Sequence, residues 1–173
     1  STSIHPNDAL QVFPTEDEYS FGILQSSIHW QWFIARCSTL KSDWRYTSNT
    51  VFDSFPWPQK PSQTAVENVA VAGKNVRKVR RTIMQQHGLS LREVYRFFDE
   101  STDNELAKAH AILNEAVGKA YGFRRNTPIL EFLLDLNLKL AATEQAGKTA
   151  QGPGIPAHIV SSGILNSNDS VSM

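Results

Sequence analysis

Six basic side chains stand between Asn68 and Arg92 without an acidic one among them: Lys74, Arg77, Lys78, Arg80, Arg81 and Arg92. At about 100° per residue, Lys74, Arg77, Lys78 and Arg81 share one side of a helix. Cationic groups on a common face are what neutralises phosphates. The same pattern also describes a helix face in water, and the residues alone leave both readings open. No catalytic constellation competes with it. The five histidines (His5, His29, His87, His110 and His158) share no metal-ligand spacing. Asp43 and Asp53 flank an aromatic stretch without a positioned base, so they do not make an acid–base pair. The single cysteine, Cys37, excludes an internal disulfide and argues against a cysteine zinc site.

Lysine and arginine total 17, as do aspartate and glutamate, so no global field draws the chain to a polyanion. Any such contact must be a local patch. With 40% hydrophobic residues, 173 residues can bury one ordinary core or two small ones. No run approaches 18 apolar residues, which predicts no membrane partner and a soluble, cytoplasmic protein. The first residue is Ser1, and we expect a piece of a longer protein.

The elements follow from caps and periodicity. Thr15 with Glu18 forms a capping box that predicts a helix running to about Cys37, with Ile23, Ser27, Trp30 and Ile34 on its buried face. Residues Ser42 to Pro58 come next and close on Phe55-Pro56-Trp57-Pro58. Each proline fixes its own φ and pushes the preceding ring residue toward extended backbone. Such a segment is either a packed edge or a junction that docks one part of a chain on another, with these four residues as its anchor. Residues 59–63 read as a polar hinge. A long helix follows to about Gln86, opened by Thr64 with Glu67 and stopped by Gly88. Ser90 with Glu93 starts a short helix, and Asp103 or Asn104 caps another from Glu105 to Tyr121. His110 sits at the margin of that helix's apolar face. Thr127 and Pro128 open a last helix to about Ala146. From there Gly, Pro, Ser and Asn dominate, which predicts a flexible tail. The expected fold is mainly α, with one irregular, extended aromatic–proline segment.

Residues Tyr19 to Pro58 resemble the end of the target recognition domain in MmeI-like DNA adenine-N6 methyltransferases. The resemblance is carried by Gly22-Ile23-Leu24, His29-Trp30, Leu40-Lys41-Ser42-Asp43, Arg45-Tyr46-Thr47 and Phe55-Pro56-Trp57-Pro58, in that order. Ala107 to Phe123 is similar to the C-terminal helical segment of the same family. The resemblance implies that residues 1–58 close a recognition domain, with 59–63 as hinge, 64–123 as a helical domain, 124–147 as an added helix and 148–173 as tail. It implies duplex DNA as partner, and an upstream methyltransferase domain of the same polypeptide that holds S-adenosylmethionine. The present residues would hold no cofactor, since no asparagine precedes a proline as the family's Asn-Pro-Pro-Tyr type motif requires. Lys41, Arg45 and Tyr46 then join Lys74, Arg77, Lys78 and Arg81 as candidate DNA contacts. Arg45 could read guanine bidentately or brace a loop through Asp43. The rival expectation is a stand-alone helical interaction module with no DNA role.

Overall fold

The structure, a computed structural model, describes residues 13, 15–40, 43–99, 104–124, 126–160 and 162–166. Among these the fold is mainly α: helices α1 (Glu18–Leu24), α2 (Ser27–Arg36), α3 (Gln63–His87), α4 (Leu91–Asp99), α5 (Glu105–Tyr121) and α6 (Ile129–Gln145). One antiparallel hairpin, β1 (Ser38–Leu40) with β2 (Asp43–Arg45), pairs Ser38 with Arg45, Thr39 with Trp44 and Leu40 with Asp43.

The single helix expected from Thr15 is two helices. Asp17, not Thr15, caps the first, its Oδ1 accepting from the Ser20 amide at 2.6 Å. Ser26 ends that run. Its backbone is extended, its hydroxyl donates to the Ile23 carbonyl at 2.7 Å, and its oxygen accepts from His29 N at 3.3 Å to cap α2. A serine hydroxyl that serves both ends of a break competes with a continuous helix. The break also turns the second half: α2 buries Ile28, His29, Trp32 and Phe33, leaving Trp30 58% exposed.

Further caps lie close to where the sequence puts them. Ser62, rather than Thr64, accepts from Ala65 N to open α3, and Gly88 closes it at φ 64°. Glu93 and Ser90 cap each other at the start of α4. Asn104 caps α5, and Gly122 ends it at φ 74°. Thr127 bonds the Arg124 backbone instead of capping α6.

Helix α3 is the axis of the body. Val66, Val69 and Val76 meet Leu106, Leu113 and Val117 of α5 in one buried cluster. Where α1 crosses α3, two glycines permit contact of backbone on backbone. A methyl on Gly73 would lie 3.1 Å from the Gly22 Cα, and one on Gly22 would lie 2.9 Å from the Val69 carbonyl oxygen. Phe55 and Trp57 are 4% and 3% exposed and belong to the same cluster, so apolar packing is continuous across residues 59–63. The Tyr121 hydroxyl donates to the Pro56 carbonyl at 2.8 Å, and Asn137 of α6 donates to the Ser54 carbonyl at 2.7 Å.

Over its described residues, the stretch expected to be a loose tail lies on the body instead. Gln59 and Gln151 exchange two bonds, side-chain amide to backbone, at 3.0 and 2.9 Å. Gln63 does the same for the backbone of Val160. The Glu18 amide donates to the Leu165 carbonyl at 2.8 Å, and Ile159 and Leu165 are buried. Glutamine side chains here replace a partner strand, a pairing with no periodic signature. Replacing Trp57 with Ala should lower stability by about 3–5 kcal/mol, as for large core aromatics. Chemical denaturation of the two proteins measures the difference.

Candidate functional site

Among the described residues, the α2–β1–β2 corner presents the exposed rings of Trp30 and Trp44 and the exposed cations Arg36 and Arg45. Arg45 is exposed on β2, beside Trp44 at 55% exposure. Sequence reasoning marked Arg45 but not the open face of Trp44, because alternation cannot say which side of a lone hairpin is covered. Lys41 lies outside the described residues. Tyr46 follows β2 and faces inward. Its hydroxyl meets His29 Nε2 at 2.9 Å, and its ring stacks on Phe33 at 5.5 Å. Burial, with the charge of Asp53 adding, raises its phenol well above the ordinary value, so it stays protonated. Tyr46 thus ties the hairpin to α2.

His29 carries that tie inward. Its ring meets Phe55 edge-on at 4.6 Å, and Phe55 meets Trp57 at 5.5 Å. Burial lowers the imidazole from 6.5 to about 4, so it is neutral near pH 7. His110 forms a similar but more open pair with Tyr95 at 3.2 Å. Its proton affinity is lowered by burial and by the charge of Arg80. Both pairs line one cleft of about 950 Å³.

The structure divides the basic side chains of α3. Arg77 turns toward α1, its Nη1 2.8 Å from Oε1 of Glu18, which is 2% exposed. The guanidinium also lies over the Phe21 ring at 3.9 Å. Lys74 Nζ donates to the Ile164 carbonyl at 2.7 Å. The cause is angular. Arg77 shares the helical arc of Val66, Ala70 and Gly73, which is the arc that α1 covers. Lys78 and Arg81 remain on an exposed arc. Arg80, which the helical stripe passed over, joins Arg81 at a second concavity with Met84, Gln85, Leu89 and Leu91. The Gly-x-Gly spacing of the chain, Gly152-Pro153-Gly154, lies on an irregular segment whose Gly154 amide donates to Ser20 Oγ. It lacks the strand-to-helix turn that a nucleotide loop needs.

Comparisons with known proteins give this mainly helical body and its hairpin a class. Residues 1–59 match the family model described as the MmeI target recognition domain. DNA methyltransferase A of Bacillus subtilis (strain 168) is 31% identical over 133 residues, 75% of this chain and 14% of that protein. The solved structure of the type IIL restriction-modification enzyme MmeI in complex with DNA aligns at TM-score 0.63 and 29% identity. That alignment covers 72% of this chain and 16% of the solved one. The chain is thus an MmeI-like target recognition fragment, and residues 1–59 belong to the MmeI target recognition domain family. It spans less than a fifth of the length of the relatives it matches.

Two outcomes follow from this geometry. Arg77→Ala leaves the buried Glu18 carboxylate without its partner and should cost about 3 kcal/mol or more in a thermal melt. His29 takes a proton at about 6.5 when unfolded and at about 4 when folded. Its contribution is therefore complete above pH 6.5 and lost as pH falls toward 4. His110, also lowered, acts in the same direction. Between pH 7.5 and 4.5, His29→Gln should remove on the order of 2 kcal/mol of the acid-induced loss seen in the parent. Denaturant midpoints at the two pH values read this out.

Proposed function

We propose that this chain is the DNA target recognition and bracing portion of a restriction-modification enzyme that methylates adenine N6. The observation that carries the reading is the family match over residues 1–59, joined to the likeness with a relative solved on DNA. Nothing in the comparisons favours the stand-alone interaction module. The β1–β2 hairpin is the reading element, since a two-stranded ribbon fits the major groove of duplex DNA. Arg45 supplies its fork of donors from one face of that ribbon, and Trp44 supplies an exposed ring from the opposite face. Helices α3 to α5 brace the ribbon through the chain Tyr46, His29, Phe55 and Trp57. The methyl donor, S-adenosylmethionine, and the catalytic motif belong to an upstream domain of the same polypeptide. Among the described residues no helix is long and apolar enough to cross a membrane, and the reading puts the enzyme with its DNA in the cytoplasm.

Affinity of this chain for duplex DNA should fall near the non-specific range, roughly 10⁻⁴ to 10⁻⁶ M at physiological salt. Anisotropy titration of Arg45→Ala separates the two roles of that arginine. A phosphate contact gives equal weakening on every duplex and a salt slope lower by about one. A guanine contact gives a loss of about 1–3 kcal/mol confined to the cognate site. A parent chain that binds no duplex at low salt would overturn the proposal.

A further inference from the structure

Helix α6 is apolar over more of its circumference than the body covers. Its inner arc carries Leu133, which is buried, with Ile129 and Phe132 packed partly against the core. Asn137 donates to the Ser54 carbonyl at 2.7 Å and fixes which way the helix faces. A second apolar arc lies outside. At about 100° per residue, Leu130, Leu134, Leu138 and Ala141 fall within about 80° of one another. The three leucines are 36%, 41% and 69% exposed. Scattered exposed leucines are ordinary, but leucines at i, i+4 and i+8 form a straight ridge about 12 Å long. A ridge of that spacing fits the groove of another helix.

The charges beside the ridge define what kind of helix that is. Glu131 flanks it on one side near its start and Glu144 on the other near its end, both exposed. Neither carboxylate meets a cation among the described residues. The lysine of this helix, Lys139, lies on the opposite side and is held by Asp135 at 2.6 Å. Two copies of α6 laid together would bring only carboxylates to the edges of the contact, with no cation of the helix to meet them. The area is also too small for that: three leucines fall well short of the roughly 800 Å² that one side of a stable free complex covers. A contact of this size holds where its two halves are tethered and pairing is intramolecular. The matched relatives are long enough to supply the other half, since this chain covers only 14% and 16% of their lengths.

We propose that the α6 ridge seats a helix of the methyltransferase domain in the same polypeptide, one whose apolar stripe is edged with lysine or arginine. The inference rests on the reading above and adds to it the face on which the two parts meet. Because α6 packs on α2 by its inner side, a domain seated on its outer side is joined through one helix to the element that carries the hairpin.

The test compares this chain with the complete polypeptide by hydrogen exchange. Amides of α6 should exchange at least about tenfold more slowly in the complete polypeptide than in the chain alone. Leu134→Gln/Leu138→Gln, at two exposed positions, should abolish that difference. The same pair should leave the melting temperature of the chain alone within about 2 °C of its parent. Equal exchange in both proteins, or protection that survives the substitutions, overturns the docking face. A larger drop in the melt of the chain alone overturns it too, because the leucines would then pack internally. The chain alone should sediment as a monomer; a dimer that the substitutions dissolve would assign the ridge to a second copy instead. Methylation of duplex DNA by the complete polypeptide scores the recognition reading separately. Methylation with α6 unprotected overturns the docking face and leaves that reading standing. A complete polypeptide that transfers no methyl group overturns the reading, and the seat for a methyltransferase helix with it.

Discussion

The contact of Gly22 on Gly73 decides where everything else in this chain can lie. Two helix backbones meet there with no side chain between them, so α1 sits closer to α3 than any larger residue would allow. That closeness puts Glu18 out of water and makes Arg77 necessary at the same crossing. The buried pair is not a strong source of stability in itself, since the desolvation of two ions offsets much of their attraction. Its effect is on geometry. With α1 fixed, Ser26 sets the start of α2, and α2 carries His29 to the aromatic cluster and Phe33 to Tyr46. The hairpin therefore inherits its position from the crossing of α1 on α3.

A chain of rings transmits that position. Tyr46, His29, Phe55 and Trp57 each touch the next, and Trp32 anchors the loop beneath through its indole N–H to the Val51 carbonyl at 3.1 Å. The prolines at 56 and 58 hold the last two rings in a segment that loses little freedom on folding. A neutral, buried imidazole suits this role, because a protonated one would need a counter-charge the site does not supply. The reading hairpin is thus mounted on stiff, apolar supports, while its own outer face stays open.

Much of this was legible in the sequence where local chemistry decides structure. Ser90 with Glu93, Asn104, Gly88 and Gly122 mark helix ends by hydrogen bonds and φ values made within a few residues. The burial of Phe55 and Trp57 follows from ring size and flanking prolines. Legibility ended where a partner distant in sequence decided the outcome. Arg77 reads as part of a cationic stripe until α1 is seen to cover its arc. Trp30 reads as core until Ser26 is seen to break the helix. Arg80 stands off the cationic stripe, and its place in a concavity with Leu89 and Leu91 depends on the chain folding back after α3, which no periodicity in α3 records. The segment after Gly147 looks structureless because its ordering comes from Gln59 and Gln63, nearly a hundred residues earlier.

The reciprocal bonds between Gln59 and Gln151 bear on how recognition segments could be exchanged between relatives. The family span ends at residue 59, which makes that residue the natural splice point for a chimera. Yet Gln59 is sewn to the far end of the chain by two hydrogen bonds, and Ser20, inside the span, holds Gly154. A transplanted segment that brings its own residues to positions 20 and 59 meets a C-terminal strap cut for different partners. The unit of exchange in this architecture is accordingly discontinuous: the recognition segment together with the stretch around 151–165 that closes over it.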